Sequence, residues 1–494
     1  MNFNLIDDNF IRIEDEPTTV SIRYLFENAH KLKNLSDPDP LVKASQMRFL
    51  LAMTQSIFKI NNLDDWGDVW EQKEFSLDQL TKYFDKYRDK FNLFDKHSPF
   101  YQSIGAKSTK EKSICLLEMH QSNESSLYCN GLNLSRQRSS SEIARSLLSY
   151  SCFVIGTGRG NYCQTPLNYS TKKNVYMCFI EGQNLFETLL FNTISLNDIK
   201  FDHSKEIPIW ESENVTDYRG GFLSYLTFSP KEIFIDSTTE KQSFYQRDYL
   251  DFAKKESRNN YEEYFSILED PYCPYSGLGD KRGVIKLDRC QKVWRDWLSF
   301  VSKKKNIDLK VYSNFLNIKD EYLEDDKAVS FWAMNVVIGG SMNNVIKDVV
   351  CGKFPINTQC LKDNSNFKKA TDFFLEYLKN IDKKIWDLLK SNILHMNKNK
   401  KIIAITAMSN KLLFWNKIDT IFYDSFLFAD WKNISSEEDT QLLYLKIEQE
   451  LRRTVNKFLD EFLELKSYPV NNFSEVVKIT EDYKKKIFKL KIKN

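Results

Sequence analysis

The sequence predicts an α+β protein: a large mixed α/β N-terminal domain over residues 1–360, then a C-terminal four-helix bundle over 361–494. Three observations lead there. Strand-like and helix-like runs are interleaved up to about residue 360. After about 361 the strand-like runs and the glycines disappear. Four amphipathic segments follow, near 367–395, 405–430, 437–466 and 473–491, with short connections. In the third, Tyr444, Ile447, Leu451, Val455, Phe458, Leu459 and Phe462 step by threes and fours, one apolar stripe with charges opposite.

From the start, "FNLIDDNFIRIEDEPTTVSI" alternates apolar and polar residues around Leu5, Phe10, Ile11 and Ile13 and predicts a short hairpin turning near Asp7–Asn9. "LVKASQMRFLLAMTQSIFKI" repeats Met47, Leu50, Leu51, Thr54, Ile57 and Phe58 at helical spacing, with Pro38 and Pro40 as start signals. "SLDQLTKYFDKYRDKFNLF" predicts a second helix, capped by Ser76, with Phe84, Tyr87 and Phe91 on one face. Residues 120–142 are polar and serine-rich and predict a long loop, followed by a helix from Ser141 to about Phe153. "NVYMCFIEG" and "KEIFIDS" read as strands, "CQKVWRDWLSFV" as a helix, and "KAVSFWAMNVVIGG" as a buried strand or helix.

Composition narrows the function. The 494 residues are 42% hydrophobic and 14% aromatic, enough for packed cores in more than one unit. The formal charge is +2, so any contact with nucleic acid is local, or is made beside basic partners. Nine cysteines lack CxxC spacing, the N-terminus lacks a signal-peptide pattern, and no apolar run is long enough for a membrane span. A cytoplasmic, soluble chain with reduced thiols and no membrane contact is expected. No GxxxxGK[ST] loop, HExxH, HxH, HD or GxSxG motif occurs, and the five histidines are not at metal-ligand spacing. Paired acids such as Asp325–Asp326 read as a solvated face. No catalytic residue, metal or cofactor is expected.

The stretch "FVIGTGRGNYCQTP" stands apart, because three of only 15 glycines fall at Gly156, Gly158 and Gly160. Glycine lets backbone amides approach a ligand without an intervening Cβ. Arg159 would add a charge-assisted contact to a phosphate or base. A plain turn between two elements is the other reading, and GTGRGN is not the dinucleotide pattern GxGxxG.

Several segments, taken in order, resemble the large subunit of the type I-E CRISPR surveillance complex, Cascade. They are "NLIDDNFIRI", "HSPFYQS", "SSSEIARSLLSYSCFVIGTGRG", "RGGFLSYLTFSPKEI", "DPYCPYSGLGDKRG" followed by "VWRDW", and "VVIGGSMNNV", and the helical C-terminus completes the order. The resemblance implies a non-catalytic subunit that checks a short motif, the PAM, in double-stranded target DNA and helps open the duplex for a guide RNA (crRNA). It would work with other Cascade subunits and recruit a separate, trans-acting helicase–nuclease. It implies that Gly158, Arg159, Gly160 and Asn161 lie along the minor groove, with Lys281 as the groove-reading lysine and Arg282 as the neighbouring candidate. At the family's wedge this chain has Val345, preceded by Asn344. An apolar side chain unstacks bases and an amide meets base edges, and both readings stay open. The 121–140 loop maps to one that reaches guide RNA and subunits, with Tyr128, Asn130, Arg136 and Arg138 as candidates. Some relatives hold zinc in a cysteine cluster, but residues 234–272 contain no cysteine, so no zinc is expected. The basic runs 397–401 and 483–494 read as solvated faces or as DNA or subunit contacts. A diverged standalone nuclease and a purely structural scaffold are the rival readings.

Overall fold

Helix Pro40–Phe58 starts where local chemistry says it should. The Asp39 carboxylate accepts from the Leu41 amide at 2.9 Å, and Pro40 fills the first helical position, whose amide is not needed. In the computed structural model this helix is buried on nearly every face rather than along one stripe. It takes Lys43, Gln46, Arg48 and Gln55 into the interior with it. The structure describes residues 2–119, 121–122, 125–126, 137–155, 163–203, 205–212, 218–237, 242–249, 252, 254–285, 298, 307–324, 326–339, 345–361, 366–396, 413–427, 431, 434, 436–464, 477–478, 480–482 and 485.

The chain divides into two compact units. The first takes Met1–Lys286, Asp308–Glu324 and Ala328–Lys353, and the second takes Leu287–Ile307, Asp325–Lys327 and Phe354–Asn494. In the first, two three-stranded sheets carry most of the described β structure, beside two ladders of two residues per strand. One orders Lys112–Ser113, Ser243–Asp248 and Lys231–Asp236. The other orders Val345–Asn357, Ala328–Gly339 and Tyr176–Glu181, with Tyr176 opposite Asn335 and Glu181 opposite Ser330. Every residue of Tyr176–Glu181 is buried, which explains an apolar run without alternation. The stretch 328–339, open between strand and helix in the sequence, is a strand.

The N-terminal hairpin is corrected. The turn after Asn4 is real, with the Asp7 and Asp8 amides donating to the Asn4 carbonyl, but its arms do not pair with each other. Asn4 bridges Asn92, Ile11 bridges Val20 and Ile13 bridges Leu35. The alternation reports burial of Leu5, Phe10, Ile11 and Ile13 against separate partners. Ser76 stands at the start of helix Leu77–Tyr87, but its hydroxyl makes no cap bond. The helix near 141 runs Ser140–Phe153 and opens with a reciprocal capping box between Ser139 and Glu142. The expected helix at 290–301 lies outside the described residues apart from Leu298, which is helical and buried.

In the second unit, Asn366–Met396, residues 413–421 and Glu437–Glu464 are helical, and a wider π turn, Phe422–Leu427, continues the middle one. Aromatic rings join them: Phe373 lies 4.4 Å from Tyr444, Phe374 4.7 Å from Phe426, and Phe414 5.3 Å from Phe458. Ile447, Leu451, Val455, Phe458 and Leu459 are buried, as their spacing requires. Most of the fourth expected segment, 473–491, lies outside the described residues. Among the described residues no helix is long and apolar enough to cross a membrane.

The interior of the first unit holds an ion pair between residues distant in sequence: Arg48 Nη1 donates to Asp270 Oδ2 at 2.5 Å, and both side chains are buried. Removing one partner of such a pair strands a charge. Arg48→Ala is expected to cost about 3–5 kcal/mol of stability, read by urea unfolding. Arg48→Met combined with Asp270→Leu is expected to cost less than the two single changes summed.

Candidate nucleic-acid interface

The Asp270 carboxylate organises the segment that carries Lys281. Besides Arg48 it accepts from the Tyr225 hydroxyl at 2.8 Å through Oδ2, and from the Tyr272 amide at 2.9 Å through Oδ1. Its own amide donates to the Tyr275 hydroxyl at 2.9 Å. Residues 270–275 are therefore pinned inside the protein before the chain leaves as a two-residue ladder, Tyr275–Ser276 with Gly283–Val284.

Between these strands, residues 277–282 form the tip. Gly277 has φ +90°, and a Cβ there would sit 2.5 Å from the Lys281 carbonyl oxygen, so the corner admits glycine alone. Lys281 is exposed, and Leu278 beside it is 83% exposed. Among the described residues no carboxylate pairs with Lys281. Arg282 behaves differently. Its guanidinium forks onto the Glu269 carboxylate, reaches Asp308 Oδ2 at 2.9 Å and lies 5.6 Å from the Tyr275 ring centre. Hydrogen bonding to Glu269 raises its pKa further, despite partial burial. Arg282 thus clamps the hairpin base, and Lys281 is the cation left at the tip. The base is also held by reciprocal amide–carbonyl bonds between Tyr275 and Asp308, 2.8 Å each way.

The glycine stretch, with Gly158, Arg159, Gly160 and Asn161, lies outside the described residues, but both its legs are anchored. Upstream, Val154 and Ile155 are buried, and the Val154 carbonyl accepts from the Asn168 side chain at 3.1 Å. Downstream, the amide of buried Cys163 donates to Asp248 Oδ2 at 3.2 Å, and Asp248 pairs with the wholly buried Lys231. Tyr261 donates to the Gln164 carbonyl at 3.1 Å. Thr165 then caps the short helix Pro166–Ser170.

The chain after that helix ties the other candidates together. The Asn174 side-chain amide donates to the carbonyls of Val284 and Ile285, both at 2.9 Å, at the end of the returning strand of the lysine hairpin. Two residues later Tyr176–Glu181 begins, the strand paired with Ala328–Gly339. Residues 163–181 are thus a common spine for the glycine legs, the Lys281 hairpin and the ribbon that ends at Gly339 and resumes at Val345. The side chain of Val345, like Asn344 as a whole, lies outside the described residues. Glu181, at the end of the spine, takes Lys43 at 2.7 Å and Lys353 at 2.8 Å, fixing the ribbon's second strand.

Of the expected RNA-facing residues, Tyr128, Asn130 and Arg136 lie outside the described residues. Arg138 is 9% exposed: it donates to Glu118 at 2.6 Å, and its backbone exchanges bonds with the Gln242 amide group. It anchors the end of the polar stretch and is not presented to a partner. Asp270, Arg48 and Asn174 do most of the positioning, and no motif in the sequence marks them as site residues. Their signal was faint: an arginine inside an apolar helix, and an Asp-Pro beside tyrosines.

Burial, and then the Asp248 charge, push the Cys163 thiol from 9.0 up to about 12. The folded protein keeps this proton in a range where the unfolded chain gives it up. The group's contribution to stability is therefore full below pH 9.0 and lost as pH rises toward about 12. Mass spectrometry after iodoacetamide treatment at pH 9 is expected to find Cys163 unmodified until denaturant is added.

A family model described as CRISPR-associated protein Cse1 matches residues 4–458. A relative from Thermus thermophilus, described as CRISPR-associated protein CasA/Cse1, is 27% identical over 215 residues; the match takes in 42% of this chain and spans 42% of that curated relative's length. The solved structure of Thermobifida fusca Cse1 superposes with a TM-score of 0.76 at 14% identity, covering 99% of this chain and 98% of that one. That of Thermus thermophilus CasA (Cse1) gives 0.73 at 18% identity, covering 98% of both chains. A chain of a CRISPR RNA-guided surveillance complex gives 0.72 at 13% identity, covering 99% of both. At these identities the solved structures establish a shared fold, and the family match runs over most of the sequence. The chain belongs to the Cse1 family of CRISPR-associated proteins, the large-subunit family that its order of motifs resembles.

Proposed function

We propose that this chain is the motif-reading subunit of an RNA-guided Cascade complex. It reads the PAM in double-stranded DNA, helps open the duplex for R-loop formation with the guide RNA, and recruits a separate helicase–nuclease without cutting DNA itself. Its partners in this reading are guide RNA, target DNA, the other Cascade subunits and the helicase–nuclease, in the cytoplasm. The observation that carries it is the hairpin of residues 275–284. A glycine-cornered tip presents one unpaired lysine, while the arginine beside it is spent on holding the hairpin to Glu269 and Asp308. A rigid finger bearing a single cation suits a groove in which few contacts are read and guide pairing carries the rest of the specificity. The spine at 163–181 supports the reading, because it couples that finger to the legs of Gly158–Asn161 and to the ribbon that bears Asn344 and Val345.

In this reading the glycine stretch abuts the minor groove with Arg159 toward phosphate, and Asn344 or Val345 enters beneath the motif. Helices of 361–494, read as a four-helix bundle, dock companion subunits.

In the assembled complex, Lys281→Ala is expected to weaken binding to a motif-bearing duplex by about 1–3 kcal/mol and to leave the melting temperature unchanged. Arg282→Ala is expected to lower both, because it releases Glu269 and Asp308. Duplex binding unaltered by Lys281→Ala and by Arg159→Ala would favour a scaffold. Divalent-metal-dependent cleavage by the isolated chain would favour a nuclease.

A further inference from the structure

Lys172 and Lys173 follow Thr171, the C-cap of helix Pro166–Ser170, and both have left-handed backbones, with φ of +51° and +63°. The Lys173 amide donates to the Asn168 carbonyl at 2.8 Å and the Lys172 amide to the Tyr169 carbonyl at 3.1 Å. That is the Schellman closure of a helix, in which the first left-handed position usually belongs to glycine or asparagine. A lysine there is strained by its Cβ. Lys59 and Lys73 adopt the same region singly, but among the described residues only 172 and 173 do so in succession.

The turn is held rigidly around this strain. Thr171 Oγ1 donates to the Leu167 carbonyl at 2.7 Å, and the Asn174 amide donates to the Thr171 carbonyl at 3.0 Å. The Asn174 side chain meanwhile grips Val284 and Ile285 of the lysine hairpin. Lys172 is exposed and Lys173 half-exposed, and among the described residues no carboxylate lies within ion-pair distance of either. The helix carboxyl end favours a cation locally, yet one lysine would satisfy that, and the other would gain by being asparagine. Two unpaired lysines on strained backbone thus stand on the spine between the downstream glycine leg and the Lys281 hairpin.

We propose that Lys172 and Lys173 form a phosphate clamp for the duplex backbone flanking the motif, an inference that rests on the motif-reading function above. The ligand is the DNA sugar–phosphate chain. Lysine suits it because an ammonium group binds phosphate as a point charge, without base preference. Such contacts add affinity and register at any sequence, and are lost with added salt.

The test is duplex binding by the complex assembled with its companion subunits and guide RNA, using a guide-matched, motif-bearing duplex over a range of salt concentrations. Lys172→Asn with Lys173→Asn relieves the backbone strain and removes both charges. Its melting temperature is expected to be equal or higher, its affinity about tenfold lower, and its log–log salt slope shallower by about 1 to 2. Lys172→Arg with Lys173→Arg is expected to restore the slope. Lys281→Ala serves in parallel. If it weakens binding while the asparagine variant keeps parental affinity and slope, the clamp is overturned and the motif-reading function stands. If neither change affects duplex binding, both are overturned. A lowered melting temperature with an unaltered slope would assign the two lysines to the turn alone and overturn the clamp.

Discussion

The first unit depends on one buried carboxylate and the groups that hold it. Asp270 is 1% exposed, and its oxygens are met by the Arg48 guanidinium, the Tyr225 hydroxyl and the Tyr272 amide. A buried pair of this kind adds little net stability compared with apolar residues. Its geometry is demanding, however, and geometry is what the surrounding elements take from it. The central helix, the helix Gly221–Thr227 and the segment leading to the lysine hairpin meet at this atom group, and none can shift without leaving a charge or donor unpaired.

From that anchor, hydrogen bonds run outward through the buried interior. Tyr225 meets Ser170 at 2.6 Å, Asn174 meets the hairpin, and Cys178 donates to the Tyr272 carbonyl at 2.8 Å. The spine is thus clamped at its helix, its turn and its strand. A surface that reads a short motif needs its few contacting groups held in fixed register, because each contact is worth only a few kcal/mol and is lost by small displacements. Among the described residues Lys281 stands exposed at a hairpin tip, and buried tyrosines, Asn174 and Arg282 hold the hairpin in position.

Charges that look alike in the sequence divide by role once their neighbours are known. Lys281 and Arg282 are adjacent, yet one is exposed and the other is committed to two carboxylates. Arg138 comes from a polar, serine-rich stretch and is nonetheless buried against Glu118. Arg48 sits in an apolar helix and is buried against Asp270. Charge type and local polarity are weak guides to exposure, because a buried ion needs only one well-placed partner, and that partner is usually distant in the chain.

What the amino-acid order determined by itself is whatever depends on near neighbours: the start of Pro40–Phe58 at its Asp-Pro cap, the capping box at Ser139, the stripe through Ile447, Leu451 and Val455, and the strands Tyr176–Glu181 and Lys231–Asp236. These follow from spacings of two to four residues, which set the side-chain faces of helices and strands. The order of motifs also carried the family. Tertiary structure alone decided that the N-terminal stretch pairs Ile11 with Val20, and Asn4 and Ile13 with Asn92 and Leu35, instead of closing across Asp7–Asn9. It alone decided that Arg282 clamps while Lys281 is presented, and that Asn174 joins the glycine leg to the hairpin. Those outcomes rest on partners as far apart as the 222 positions between Arg48 and Asp270. No local periodicity encodes such a pairing; it exists only once the chain has closed on itself and each buried polar group has had to find its complement.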